Sequence, residues 1–391
     1  MYISRMKLNN WKNFREAEAK LRKRFFVIGP NASGKSNFLD ALQFLRDLAA
    51  HGLSDAVGKR GGVSVIRCLA ARGKNSDIGL EVEVSSHQGE AAWLYQVIFS
   101  QTSAKIPRVK RELVKNLITG ELLLERPTQE DTQDEIRLTQ TSLEQIIANS
   151  NFRELANFFK SIEYQHIVPQ VIRDPQGFSA VPASNDPYGR DFLLSVWDEN
   201  KKTRDAWLKR IANILRSAVP QLEGIEVEQD SRGTPHLIGR FTHWRPNAAR
   251  HDESQFSDGT LRLFGLLWSF FSGRGPLLIE EPELSLHPEV VRVLPQLFHR
   301  LQQEIQKMRK ENLDEQRQLI ISTHSREILE DKGIAAEEVV HLVPDQEGSK
   351  LLGPEVRDRE LIQAGLSAAE VFLPKTRPSK LDPGQLSLLF N

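Results

Sequence analysis

Gly29-Pro30-Asn31-Ala32-Ser33-Gly34-Lys35-Ser36 decides how this 391-residue chain is read. It fits G-x-x-x-x-G-K-[ST] without a mismatch. Glycines let a backbone approach phosphate groups closely with its N–H groups turned inward. Lys35 is placed to reach the β- and γ-phosphates of a nucleotide, and Ser36 to ligate Mg²⁺. Just upstream, Phe25-Phe26-Val27-Ile28 reads as a short buried strand. Downstream, over Asn37–Leu48, the apolar residues Phe38, Leu39, Leu42, Leu45 and Leu48 fall at helical spacing. A helix beginning near Lys35 turns its positive dipole end toward the same anion. The competing explanation is a chance glycine-rich turn, which arises roughly once in a hundred chains of this length and would lack the strand and helix on either side. The expected ATP contacts are Gly29, Pro30, Asn31, Ala32, Ser33, Gly34, Lys35, Ser36 and Asn37, with ATP and Mg²⁺ as the cofactors.

Three further segments extend the pattern. Leu277-Leu278-Ile279 is an apolar strand that ends in Glu280-Glu281-Pro282-Glu283. Acids at the C-terminal edge of such a strand are expected beside the phosphate loop. Glu280 would hold Mg²⁺, directly or through water, and Glu281 would orient and deprotonate the attacking water. A solvated acidic turn is the alternative, and Glu283 reads as a surface or supporting residue. Phe256-Ser257-Asp258-Gly259-Thr260-Leu261-Arg262 opens another helix. Ser257 or Asp258 can cap it, and Gly259 permits close backbone approach. On these residues alone a plain helix cap is the simpler reading. The other is a second anion site, which one ATP can use only if two copies of the chain pair head to tail. Finally, Leu319-Ile320-Ile321-Ser322 leads into Thr323-His324-Ser325. A histidine at that strand end can hydrogen-bond a γ-phosphate and sense its loss, whereas a capping or core-edge histidine is the plainer role. His287 reads as a helix starter or a partner contact, without a second ligand for a metal.

Composition is that of an ordinary globular protein, 39% hydrophobic and 27% charged. Lys+Arg and Asp+Glu are both 52, so net charge gives no support for nucleic-acid binding. The single cysteine, Cys68, excludes an intrachain disulfide and fits a reducing cytoplasm. The first 24 residues lack the apolar core of a signal peptide, and the apolar run near Leu263–Phe271 is too short for a bilayer. A cytoplasmic protein without membrane contact is expected.

Tyr2–Trp11 reads as a strand paired with Arg15–Leu21, and Ile78–Val84, Ala92–Phe99 and Arg108–Leu117 as further strands. Residues 127–140 read as a polar loop. From 141 to 222 the pattern is mostly helical, broken by a strand-like Tyr164–Val168 and ended by Pro220. Thr260–Phe271 and Pro288–Lys307 read as helices, and Gln318–Ser322 and Val339–Val343 as strands. Residues 308–317 read as an exposed linker and the last 18 as an irregular tail. Asp358 and Glu360 read as a solvated face. The order of elements is an α/β pattern with a long insert.

The phosphate loop, S-D-G-T-L-R, L-L-I-E-E-P-E-x-x-L-H-P and S-T-H-S occur in this order, after an N-terminal Met6-Lys7-Leu8-Asn9-Asn10-Trp11-Lys12-Asn13-Phe14. The set resembles the ABC-type ATPase heads of the SMC, RecF and OLD-like group. It is most similar to the stand-alone AAA-family ATPases of bacterial genomes, many of them found in anti-phage defence systems. The resemblance implies an α/β P-loop NTPase of ABC-ATPase type, with a central mixed sheet and flanking helices. It divides the chain into a head formed by 1–103 and 236–391 and an inserted, β-rich and partly helical lobe at 104–235. Residue by residue, Gly29, Asn31, Gly34, Lys35 and Ser36 match the nucleotide loop. Ser257, Gly259 and Thr260 match the signature that reaches the partner's nucleotide, Glu280 and Glu281 the acid pair, and His324 the switch. Three departures stand out: Asp258 and Thr260 replace the Gly and Gln of transporter ATPases, Glu280 replaces an Asp, and no Q-loop glutamine can be placed. No sustained heptad marks a coiled-coil arm, and the 66 residues after Ser325 leave no room for an OLD-type nuclease fold.

The implied function is an ATP-hydrolysing molecular switch. It would form a homodimer or higher homo-oligomer around ATP and Mg²⁺ and control a separately encoded effector, a nuclease or other toxin, in defence against phage. One alternative is a DNA-repair or DNA-loading ATPase with DNA across the dimer, using the basic clusters Arg5–Arg24, Lys105–Lys115 and Lys201–Arg210. The other is a scaffold that ATP only stabilises.

Overall fold

The computed structural model describes residues 1–71, 76–173, 188–242, 249–309 and 316–376. The chain divides into two compact units, one of residues 1–160 and 322–391 and one of residues 161–321. The lobe read from the sequence as 104–235 spans the first of these boundaries. A cut at 103/104 would fall inside a hairpin whose strands pair from Trp93–Asn116 to Gln101–Pro107.

In the first unit, β1 (Tyr2–Trp11), β2 (Phe14–Lys20), β4 (Ile78–Ser85), β5 (Ala91–Gln101), β6 (Pro107–Asn116) and β7 (Leu122–Arg126) form an antiparallel sheet in the order β2-β1-β4-β5-β6-β7. Alternation along these strands buries one face. Helix α1 (Lys35–His51) packs against that face through Phe44, whose ring lies 5.1 Å from Trp11 and 5.5 Å from Phe99. The short helices α2 (Leu53–Gly58) and α3 (Val63–Ile66) follow it. Strand β3 (Arg24–Ile28) pairs in parallel with β14 (Val339–Asp345), which pairs antiparallel with β15 (Gly348–Leu352). Helices α4 (Gln129–Gln133), α5 (Arg153–Lys160), α11 (Arg326–Leu329), α12 (Val356–Gln363) and α13 (Ala368–Phe372) complete the unit.

Two sequence expectations change here. Residues 127–140 are not a plain loop: Thr128 and Asp131 form a reciprocal capping box that starts α4, and a 3₁₀ turn follows at Glu135–Thr139. Asp358 is not solvated either. It is buried, accepting the Glu355 N–H at 2.9 Å as a helix cap and pairing with Lys375 at 2.7 Å, while Glu360 is exposed.

The second unit is built around α9 (Asp258–Ser272), buried along nearly its whole length. Aromatic contacts hold its neighbours: α7 (Phe192–Asp198) through Phe192 on Phe264, α8 (Lys201–Leu215) through Trp207 on Trp268, and α10 (Pro288–Arg309) through Phe298 on Phe270. Helix α8 closes at Leu215, before Pro220. A sheet of β9 (Leu222–Gln229), β10 (Pro235–Phe241) and β11 (Ala249–His251) is antiparallel throughout. Strand β8 (Glu163–Gln165) runs parallel to β12 (Leu277–Glu280) and leads to α6 (Pro169–Arg173). Beside β12 lies β13 (Leu319–Thr323), within which the division between the units falls. Part of the expected 308–317 linker and most of the expected tail, residues 310–315 and 377–391, lie outside the described residues. Among the described residues no helix is long and apolar enough to cross a membrane.

Candidate functional site

In the first unit, β3 delivers the chain to Gly29 and α1 begins at Lys35, so Gly29–Ser36 is the strand-to-helix turn that the sequence predicts. The turn winds through left-handed backbone at Ala32 (φ 62°) and Gly34 (φ 103°). Alternation of that kind points successive N–H groups into one concavity, a ready anion cradle. Ser33 is fully buried, and its hydroxyl has no hydrogen-bond partner among the described residues. Lys35 is 6% exposed, and its ammonium donates to the Gly29 carbonyl at 3.0 Å and the Pro30 carbonyl at 3.3 Å. A buried cation held by the loop's own carbonyls, a glycine in left-handed backbone and an orphaned hydroxyl fit a phosphate chain and leave little purpose for an ordinary turn. Asn31, Ala32 and Ser36 are exposed at the rim, and Asn37 is half-buried.

The turn joining β1 to β2 packs on this loop, which the sequence does not reveal. Lys12 adopts left-handed backbone (φ 49°), and its ammonium pairs with Asp40 of α1 at 2.6 Å. Trp11 donates its indole N–H to the Asn37 carbonyl at 3.0 Å. Asn13 donates to the Ser33 carbonyl at 2.8 Å and accepts from the Asn37 amide at 2.8 Å.

His324, also in this unit, follows β13 and is exposed. Its neighbours fix the bend: Thr323 Oγ1 accepts the Ser325 N–H at 2.9 Å, and Ser325 caps α11 through the Ile328 N–H at 3.3 Å.

In the second unit, Glu280 ends β12, and one of its carboxylate oxygens accepts a hydrogen bond from the Tyr164 hydroxyl of β8. Glu281 has φ 44°, a left-handed conformation that a long unbranched side chain seldom adopts. Backbone held there costs about 1–3 kcal/mol and concentrates at functional sites. Ser257 caps α9, accepting the Thr260 N–H at 3.2 Å and sharing a 2.7 Å hydrogen bond with the Thr260 hydroxyl. A β-carbon on Gly259 would lie 2.6 Å from the Ser285 carbonyl oxygen. The signature turn therefore lies against the loop that follows the acids, closely enough that only glycine fits. Arg262, one turn into α9, is 8% exposed. Burial holds its guanidinium below the ordinary arginine range, against the pull of Asp258, Glu281 and Glu283. His287 accepts the Glu289 N–H at 3.2 Å, a helix-starting role. Tyr164, Arg262 and Asn13 are the residues that sequence reasoning missed; Tyr164 and Asn13 act through partners distant in the chain, and the burial of Arg262 is not marked by its residue type.

Residues 24–330 match the family described as "AAA domain, putative AbiEii toxin, Type IV TA system". The chain belongs to this family. Among curated proteins, the DNA replication and repair protein RecF of Gloeobacter violaceus is 28% identical over 145 residues, covering 32% of this chain and 39% of RecF. The chain thus spans about two fifths of that relative's length. Among solved structures, an SMC head bound to the C-terminal winged-helix domain of ScpA superposes with a TM-score of 0.53 at 13% identity, covering 92% of this chain and 100% of that one. The SMC head domain from Thermotoga maritima gives 0.45 at 13% identity, covering 91% and 100%. The fold is that of an SMC head, the ABC-type P-loop fold.

Proposed function

We propose that this chain binds ATP with Mg²⁺ at Gly29–Asn37, hydrolyses it, and works as a switch between an ATP-bound closed pair of chains and an open state. The observation that carries the reading is the buried Lys35 ammonium, held by the loop's own carbonyls at the mouth of α1. A nucleotide phosphate would replace those carbonyls, exchanging neutral acceptors for charged ones. Ser36 and Glu280 would hold Mg²⁺, which neutralises charge on the transferred phosphoryl group. Glu281 would take a proton from the attacking water, and its constrained backbone favours one carboxylate direction. His324, exposed at its strand end, would hydrogen-bond the γ-phosphate. Ser257, Gly259 and Thr260 would face the nucleotide of a second copy, with the α9 N-terminus supplying N–H donors. The family's printed description, a putative toxin of a type IV toxin–antitoxin system, supports a toxin–antitoxin setting; control of a separately encoded effector in defence against phage is the finer part of the proposal.

A DNA-repair ATPase is the second reading, supported by the RecF match. The first basic cluster argues against it: Arg5 is bonded to Glu18, Glu81 and Glu83, and Arg24 to Glu338. Isothermal titration of ATP·Mg²⁺ into wild type and Lys35→Ala tests the site, and unchanged affinity in the variant would overturn it. Salt-dependent binding of duplex DNA would favour the second reading.

A further inference from the structure

The amide of Asn13 is engaged on three sides. It donates to the carbonyl of Ser33 in the phosphate loop at 2.8 Å and to the hydroxyl of Ser349 on β15 at 2.8 Å, and it accepts from the amide of Asn37 in the first turn of α1 at 2.8 Å. Its own backbone carbonyl accepts the Ser349 N–H at 2.7 Å. One side chain therefore ties together the loop, the helix that begins at its end, and the hairpin of β14 and β15. The same hairpin is joined in parallel to β3, the strand that feeds the loop.

Two glycines make room for it. A β-carbon on Gly34 would meet Asn13 Oδ1 at 2.6 Å and Cγ at 2.7 Å, and one on Gly348 would collide with the Asn13 carbonyl oxygen. Both glycines have positive φ, 103° and 129°. Close approach from the loop side and from the hairpin side is thus built into the backbone, and the amide fills the gap between them. Its donor to Ser33 fixes the direction of that carbonyl toward Asn13. In a trans peptide the N–H points opposite to the carbonyl, so the Gly34 N–H is aimed away from Asn13, and a loop whose N–H directions are fixed in this way is suited to an anion.

We infer that Asn13 is a positioning residue for the phosphate chain: it holds the loop, before any nucleotide arrives, in the shape that accepts phosphate. This rests on the reading of Gly29–Ser36 as a phosphate loop. A preformed cradle spares the bound state the cost of ordering it, so loss of the pin should weaken every phosphate-bearing ligand and leave the nucleoside contribution alone.

The experiment compares wild type, Asn13→Ala and Lys35→Ala by isothermal titration with ATP·Mg²⁺, ADP·Mg²⁺ and tripolyphosphate, and records thermal melting without ligand. Asn13→Ala is expected to weaken all three ligands by about 10-fold, the loss of one or two hydrogen bonds near a charged ligand. Steady-state hydrolysis should show a raised KM with kcat within about 3-fold of wild type. If Asn13 merely pins the hairpin, the melting temperature falls and the three affinities stay at wild-type values, which overturns the proposal. A loss for ATP and ADP but not for tripolyphosphate also overturns it, since that pattern means contact with the nucleoside. Unchanged affinities in Lys35→Ala would instead defeat the phosphate-loop reading itself. If Asn13→Ala is too unstable to titrate, Ser349→Ala removes one acceptor of the same amide, and a loss of about 3-fold is expected for tripolyphosphate. Wild-type tripolyphosphate affinity in that variant counts against the proposal.

Discussion

Gly34→Ala should disable the phosphate loop, and its size can be worked from two independent terms. The first is backbone strain. Gly34 sits at φ 103°, ψ 18°, where an L-residue costs about 1–3 kcal/mol. The second is collision. The new methyl would lie 2.6 Å from Asn13 Oδ1 and 2.7 Å from its Cγ. That amide is no free side-chain end, because it holds hydrogen bonds to Ser33, Ser349 and Asn37. Moving it aside sacrifices about 1 kcal/mol for each bond broken, so one to three bonds bring the sum to about 2–6 kcal/mol. The chain can meet this by keeping the loop and losing stability, or by relaxing the loop and losing ATP affinity. The two losses, measured together, should reach at least about 2 kcal/mol. That is about 30-fold in Kd if it falls wholly on binding, or about 4–8 °C in the melting temperature if wholly on stability. Isothermal titration with ATP·Mg²⁺ and scanning calorimetry without ligand read the two halves. The double variant Asn13→Ala/Gly34→Ala removes the collision but not the strain, so its loss should be smaller than the sum of the single losses. A Gly34→Ala protein with wild-type affinity and wild-type melting would refute the reasoning.

Other substitutions test other parts. Glu281→Gln keeps the size of the side chain but not the base, so kcat should fall by about 10²–10⁴ while ATP still binds; light scattering on a size-exclusion column should then show an ATP-dependent larger species, and wild-type turnover would place the base elsewhere. Ser257→Arg should leave ATP binding to one chain intact and block turnover, and turnover that persists independent of protein concentration would exclude a composite site; loss of the α9 cap should cost about 0.5–2 kcal/mol in the same variant. Arg126→Ala strips an arginine partner from fully buried Glu112 and from Asp131, and should destabilise by about 3–5 kcal/mol in denaturant unfolding. The Arg126 hydrogen bond, helped by those of Thr128, pulls the Asp131 carboxyl down to about 2 from 3.8, so its stabilisation is complete above pH 4 and disappears as pH falls toward 2; in Arg126→Ala that acid-dependent loss should shrink.

What the sequence made legible was local. The strand into Gly29, the loop, the helix from Lys35 and the strand ending at Glu280 are each contiguous, with apolar spacing that announces the element and a motif at its end. What it hid depends on partners remote in the chain. Asn13 acts through residues 20 and 336 positions away, and Tyr164 reaches Glu280 across 116. Asp358 looked like one charge among many on a helix, because the composition of a stretch does not distinguish a cap from a solvated face. The left-handed backbone of Glu281 is equally silent, since nothing about a glutamate between Glu280 and Pro282 demands positive φ.

On the proposed reading of Glu281 as the base, that backbone sets thermal robustness and chemistry against each other at one position. Glycine accepts φ 44° without strain and asparagine with little, so either should raise the melting temperature above that of the natural chain. A library varied at position 281 and sorted only for survival of heating would be drawn to them, and would discard the carboxylate on the way. The same library sorted for turnover would keep glutamate and with it the weaker fold. Two rounds of sorting, run in opposite order, would therefore converge on different residues.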